Sequence, residues 1–376
     1  MRADIAELFE LDPALTHLNH GAFGAVPRVV REAQDRARAR IESAPMRAFR
    51  DDLPGAIAAS RERAADFVGV PREAAALVRN VSEGVAVVLQ SLAVGPGDDV
   101  VVSNHGYPTV AMAVRARGGS AREATFHLHA STADIVAAFT EALTPDTRLV
   151  VIDQITSATA LLLPVAEVAA AVAPVPVLVD AAHVPGALPG LDVEELGVQY
   201  WVGNLHKWVF APRSAALLWV DSARRADVQP LVTSWSHGER FPVCFDLQGT
   251  VDHSAWLALP DGVDFWHRLG GWSNVRHNAH LVRWGAHHIA SALGTTSEPS
   301  GIPSAPCMTL VPLPEQAAAT PEGAEALWQQ LFAAGFLVPA VSFAGRGHLR
   351  LAAQAYNDED DYARLAATLV PLVGRA

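Results

Sequence analysis

Only two cysteines occur in the 376 residues, Cys244 and Cys307. That excludes a disulfide framework, and their separation fits no zinc-ligand spacing. So little cysteine suits a reducing compartment, and a cytoplasmic location is expected. Positive charge is scarce as well. Lys and Arg number 28 against 40 Asp and Glu, a net charge of -12. An acidic surface repels nucleic acid and anionic lipid, and no basic cluster interrupts it, so neither is expected as a partner. No apolar run reaches the roughly 18 residues that a membrane-spanning helix needs. The opening stretch MRADIAELFELDPALTHLNH carries acids early and lacks the apolar core of a secretory signal. Metal-ligand spacing is missing too: His127, His129, His277, His280, His287 and His288 are not joined to acids, and no metal is expected.

Half of the residues are hydrophobic, enough for one large core and a smaller one. Short apolar runs rich in Val, Ile and Leu predict strands over 98–104, 148–155, 175–182, 199–204 and 215–220. They do not alternate with polar residues, which predicts strands buried on both faces, as in a parallel sheet. Helical patterns lie between or before them, over 27–44, 56–68, 83–93, 109–116, 131–142 and 165–173. Repeated strand, helix, strand predicts a doubly wound α/β domain, whose ligands bind in loops after the carboxyl ends of strands. Beyond about residue 240 the alternation stops. Helices are predicted over 254–267, 272–292 and 322–334, with a strand at GHLRLA, a last helix from Asp358, and a Pro/Ser-rich loop over 294–306. This texture suits a smaller α+β lobe.

Three elements carry chemistry. Lys207 lies in Gly203-Asn204-Leu205-His206-Lys207-Trp208, just after an apolar strand. A lysine beside a buried strand end is costly unless its amine is neutral or paired. A lysine spent on a carbonyl meets that condition, and so does one that snorkels to water. Asp180 closes the run Val175-Pro176-Val177-Leu178-Val179-Asp180 and points into a strand-end crevice. There it can pair with a protonated ring nitrogen, or it can cap the segment that follows. Lys207 follows Asp180 by 27 residues, room for one turn or helix and one strand, which sets both at one sheet edge. Third, Arg79-Asn80-Val81-Ser82-Glu83-Gly84 opens an apolar helix. Exposed amides and the helix dipole at such a start bind phosphate, and Ser82 adds a hydroxyl; an ordinary N-cap is the other reading.

Together and in this order, these elements resemble the class V aminotransferase group of fold-type I pyridoxal-phosphate (PLP) enzymes, within it the isopenicillin N epimerase-like branch. The similarity runs over nearly the whole chain. It takes in Leu18-Asn19-His20-Gly21-Ala22-Phe23-Gly24, Arg79 to Gly84, Asn104-His105-Gly106-Tyr107 and Thr156-Ser157-Ala158-Thr159-Ala160. It continues through Asp180-Ala181-Ala182-His183-Val184-Pro185-Gly186, Gly203 to Trp208, Ala211-Pro212-Arg213, Gln248-Gly249-Thr250, Leu349-Arg350 and Tyr356-Asn357-Asp358. The Asp-Ala-Ala-His and His-Lys-Trp pieces are specific, whereas Gly-Thr and Asn-His-Gly are weak alone.

The resemblance implies an aspartate aminotransferase-like α/β fold. Its large PLP-binding domain, over 16–245, holds a mainly parallel seven-stranded sheet; 1–15 and 246–376 form a smaller α+β domain. The cofactor implied is pyridoxal 5'-phosphate, and Lys207 would hold it as a Schiff base and move the substrate α-proton. Asp180 would meet the pyridine nitrogen and His183 the ring hydroxyl. His105 would stack on the ring, with Tyr107 as the competing candidate. Val81, Ser82, Asn204 and His206 would surround the phosphate, and Ser157 would join the cofactor site. Thr250 would reach the phosphate in a neighbouring subunit, making a homodimer with shared sites. Arg350 would grip the substrate carboxylate with two parallel hydrogen bonds. Asn19 and His20 would lie near that carboxylate, and Arg47 is a candidate for side-chain recognition.

The partner implied is a small amino-acid substrate, and the shared step is loss of its α-proton. The branch favours epimerisation; C–S lyase and aminotransferase chemistry are the alternatives. Ala158-Thr159 in place of Pro-Thr, and a short 234–247 loop, leave the substrate open. Desulfurases carry a nucleophilic cysteine shortly before the carboxylate-binding arginine. Here that stretch reads Val341-Ser342-Phe343-Ala344-Gly345-Arg346-Gly347-His348, which disfavours a desulfurase.

Overall fold

The computed structural model describes residues 3–296 and 301–374. Seven strands form the central sheet: β1 (Ala75–Val78), β2 (Asp99–Ser103), β3 (Ser120–Ala124), β4 (Thr147–Asp153), β5 (Val177–Asp180), β6 (Tyr200–Asn204) and β7 (Ala216–Val220). Their order across the sheet is β1-β7-β6-β5-β4-β2-β3. From β6 to β3 all neighbours are parallel, and β7 runs antiparallel to both β1 and β6. The sheet is therefore mainly parallel, as the resemblance implied.

Every residue of β5, β6 and β7 is buried. Successive strand side chains point to opposite faces, and each face here meets an apolar layer. Val101, Val150, Val179 and Trp201 join one cluster, while Val100, Val151, Leu178 and Val202 join the other. The helices α1 (Arg28–Ser43), α2 (Leu53–Val68), α3 (Val81–Ser91), α4 (Pro108–Ala116), α5 (Thr132–Glu141) and α6 (Val165–Val172) supply those layers or extend them. Two strands carry no apolar signal in the sequence. β1 reads Ala-Ala-Leu-Val, too short and alanine-rich to stand out, and β3 reads Ser-Ala-Arg-Glu-Ala at the sheet edge, where side chains on both faces meet water.

The stretch expected as one helix over 254–267 is two, α7 (Ser254–Leu257) and α8 (Leu259–Arg268), because Pro260 has no N–H to continue the ladder. Both pack on α1 and α2. α9 (Trp272–Leu293) ends at Gly294 in the left-handed region, a common helix stop. Part of the loop expected over 294–306, residues 297–300, lies outside the described residues.

A second, three-stranded antiparallel sheet follows, made of β8 (Met308–Pro312), β9 (Ala340–Phe343) and β10 (Arg346–Ala352) with β10 in the middle. α10 (Pro321–Ala333) and α11 (Glu359–Val373) complete this lobe, whose own core includes Leu281, Leu349, Leu351 and Tyr362. Near the N-terminus, Thr16 and His17 pair in parallel with Phe336 and Leu337, which draws the following segment across to the large sheet. No helix among the described residues is long and apolar enough to cross a membrane.

Candidate active site

Three parallel strands deliver the chemistry from their carboxyl ends, the place where open α/β sheets bind ligands. β5 ends on Asp180, β4 ends on Asp153, and β6 ends on Asn204, three residues before Lys207. Lys207 is only 9% exposed, and its Nζ lies 3.2 Å from His183 Nε2. Burial pulls the amine down to about 8, against the opposing pull of Asp180 and Asp153. The amine is thus partly neutral near physiological pH, as a nucleophilic lysine requires. Burial raises the Asp180 carboxyl, while the Ala182 amide at 3.0 Å and the nearby Lys207 hold it back.

The start of α3 lies beside this group. Asn80 caps the helix by accepting the Glu83 amide at 2.9 Å. Gly84 lets the helix lie directly on β6: a Cβ there would fall 2.5 Å from Val202 Cγ2. The Val81 amide, expected to serve a phosphate, donates instead to Asn204 Oδ1 at 3.1 Å. Val81 and Asn204 therefore tie the helix to the sheet; the Val81 amide is committed, whereas Asn204 spends only its oxygen and keeps its Nδ2 donor. Ser82 keeps its amide and hydroxyl without a partner among the described residues, and it shares a cleft with Asp180 and Thr109. His206 donates Nδ1–H to the Ala215 carbonyl at 3.1 Å and keeps Nε2 available.

β10 brings Arg350 from the small lobe. Its guanidinium binds the Ser157 carbonyl, and Asn19 Oδ1 at 2.6 Å. Nε is buried with no partner, and no carboxylate pairs with the group among the described residues. Burial alone pulls it down to about 10. A buried guanidinium without an anion is a binding site short of its ligand. His183 is in a similar state. With Nε2 facing Lys207, its Nδ1 is buried and unpaired.

Several expected residues lie elsewhere or are committed. His20 donates Nε2–H to the Lys207 carbonyl at 3.0 Å and accepts the Tyr356 hydroxyl at Nδ1, also at 3.0 Å. Both ring nitrogens are used, so His20 braces the lysine turn from behind and offers nothing to a carboxylate. His105 is also closed. It accepts the Thr159 hydroxyl, donates to the Phe126 carbonyl, and packs against Phe126 and Phe343 at centroid distances of 4.3 and 4.4 Å. That leaves no open face for a cofactor ring, and Tyr107, 46% exposed at the start of α4, is the candidate that remains. Arg47 is exposed and pairs with Asp52 at 3.6 Å. Thr250 is exposed in the loop after the buried Arg61–Asp246 ion pair.

Two features escaped the sequence reading. Asp153 is one, since its partner strand had to be known first. The other was available by counting: Lys207 is the only lysine in the chain, and the other 27 basic residues are arginine. The cysteine-free stretch before Arg350 makes a tight hairpin turn at Ala344 and Gly345, both at positive φ. Cys244 and Cys307 are buried in the core, and burial raises their thiols to about 11 and about 12.

An unpaired buried guanidinium, a buried lysine of lowered basicity, an acid at the neighbouring strand end and an open helix start form one crevice on a mainly parallel seven-stranded sheet. That combination fits an anionic aromatic aldehyde and defines the class as fold-type I PLP enzymes. The chain belongs to the class V aminotransferases, a PLP-using family whose model matches residues 5–291. It is 28% identical to isopenicillin N epimerase of Streptomyces clavuligerus, over 97% of this chain and 96% of that one. It is 29% identical to an L-cysteine desulfhydrase of Arabidopsis thaliana, over 96% and 88%. The fold is shared with C-DES, a cystine C–S lyase, solved as a mutant with glycine covalently linked to its PLP, at a TM-score of 0.81 and 22% identity over 99% of both chains.

Proposed function

We propose that the protein removes the α-proton of a small amino acid and expels a β-substituent, as a C–S lyase does. One observation carries this reading: among the described residues, Arg350 has a single proton-transfer centre beside it. Its direct partners, Asn19 and Ser157, do not titrate, and the titratable groups that feel its charge, Lys207 and His183, touch each other. Elimination needs one base and a departing group, whereas inversion also needs a proton delivered to the opposite face. When bound, PLP supplies a sink for the electron pair left at the α-carbon.

In this reading Lys207 holds the cofactor and moves the α-proton, and His183, which burial and the charges of Lys207 and Arg350 keep neutral, contacts the ring hydroxyl. Asp180 faces the ring nitrogen, and Tyr107 covers the ring. Ser82, His206 and the dipole of α3 hold the phosphate. Arg350 exchanges part of its bonding to Ser157 for the substrate carboxylate, with Asn19 fixing the guanidinium plane. The protein acts as a cytoplasmic homodimer in which Thr250 completes the partner's phosphate site. The division into 16–245 and the smaller lobe of 1–15 and 246–376 is part of the same proposal, with α7 and α8 folded back onto α1 and α2.

Epimerisation is the second reading, supported by the similarity to the Streptomyces epimerase along nearly the full chain. Incubation with cysteine, cystine and a panel of amino acids in D2O separates the two. Pyruvate, ammonia and released sulfur are expected, and all should vanish in Lys207→Ala. Deuterium at Cα with scrambled chirality and no pyruvate makes it an epimerase; a free keto acid with aminated cofactor makes it an aminotransferase.

A further inference from the structure

None of these roles uses Asp153, although it stands at the centre of the site. It is the register partner of Asp180 on the adjacent parallel strand, so both side chains leave the sheet on the same face. Both are buried. The turn after β2 closes over the Asp153 carboxyl: a Cβ on Gly106 would lie 3.2 Å from its Oδ2, and the Tyr107 amide bonds to it. Asp153 thus sits between the acid at the ring's edge and the residue that covers the ring's face. The charged groups facing it are Asp180 from β5 and Lys207 from the turn after β6.

Two carboxylates in one dry crevice need more positive charge than the single amine of Lys207 supplies. We propose that Asp153 is a positioning residue that keeps its proton, so the two strand-end acids carry one negative charge between them and that charge rests on Asp180. This rests on Asp180 as the partner of the ring nitrogen. The Ala182 amide at 3.0 Å and the nearby Lys207 favour the charge on Asp180. Burial and the Asp180 charge together push the Asp153 carboxyl well up, beyond what the Tyr107 amide and Lys207 recover. A neutral Asp153 can accept the Tyr107 amide without competing for the ring nitrogen. A charged one would offer the ring a second anion and blunt its orientation.

The test uses the full-length enzyme loaded with PLP and two readouts apart from turnover: the rate of cofactor release, and the pH midpoint of the bound cofactor's visible spectrum. Asp153→Asn copies the neutral acid, so release should stay within about twofold and the midpoint within about 0.3 pH unit of wild type. Asp180→Asn should release the cofactor about tenfold faster, with Asp153 ionising in its place. The double variant retains no charge and should lose about a further tenfold, so Asp153→Asn is silent alone and damaging in that background. A midpoint moved by about one unit in Asp153→Asn, or a double variant no worse than Asp180→Asn, overturns the proposal. A wild-type spectrum and release rate in Asp180→Asn would instead overturn the placement of Asp180. Asp153→Ser, smaller and also neutral, carries the same expectations if the Asn variant does not fold.

Discussion

Replacing Arg350 by methionine should make the substrate-free enzyme slightly more stable and almost unable to bind substrate. Burial holds the guanidinium at about 10, against an ordinary value above 12, so keeping it charged there costs about 3 kcal/mol. Its bonds to Ser157 and Asn19 return about 1 kcal/mol each, and methionine fills much of the same volume. The balance favours the variant by about 1 kcal/mol, on the order of 2 °C in melting temperature for a chain of this size. Substrate binding moves the other way. Two charge-assisted bonds to a carboxylate contribute about 3–5 kcal/mol, so KM should rise roughly 100- to 5000-fold. The cofactor spectrum should not change. Thermal unfolding of the PLP-loaded protein and steady-state kinetics measure both halves. An unchanged KM, or loss of cofactor with a lower melting temperature, would refute the assignment of Arg350 to the substrate.

Three further outcomes are expected. Tyr107→Ala should weaken PLP binding about tenfold, and Tyr107→Phe should restore it. His105→Leu should leave PLP affinity alone but lower stability by about 1–3 kcal/mol, because the Thr159 hydroxyl and Phe126 carbonyl lose their buried partner. The reverse pattern would return the stacking role to His105. Acid should destabilise the fold through His20, His105 and His206, which burial holds at about 4. Their unfolded forms titrate near 6.5, so between roughly 6.5 and 4 the unfolded chain binds more protons. Their contribution is complete above that window and is lost as pH falls through it, by up to about 1.4 kcal/mol per histidine per pH unit. Denaturant midpoints between pH 7 and pH 4.5 test this, and a flat profile would contradict it.

Much of the large lobe was legible because its strands are buried on both faces, and continuous apolar runs such as Val-Leu-Val before Asp180 announce that state directly. The edge strand β3 left no such trace, and β1 is too short and alanine-rich to show one. Lys207 and Asp180 were legible for a related reason. A charged residue that closes an apolar strand has one place to go, the crevice beyond the strand end.

Side-chain commitments were decided only in three dimensions. Motif positions singled out His20 and His105 as ligand contacts, but their partners, the Lys207 carbonyl, Tyr356, Thr159 and Phe126, lie 21 to 336 residues away in the chain. Arg350 and Asn19 are 331 residues apart, and the neighbour that sets the protonation of Asp153 lies on another strand. Local sequence records which groups a position offers. Which of them remain unspent depends on what the fold packs against them, and in a buried site the unspent groups are the ones left to bind and react.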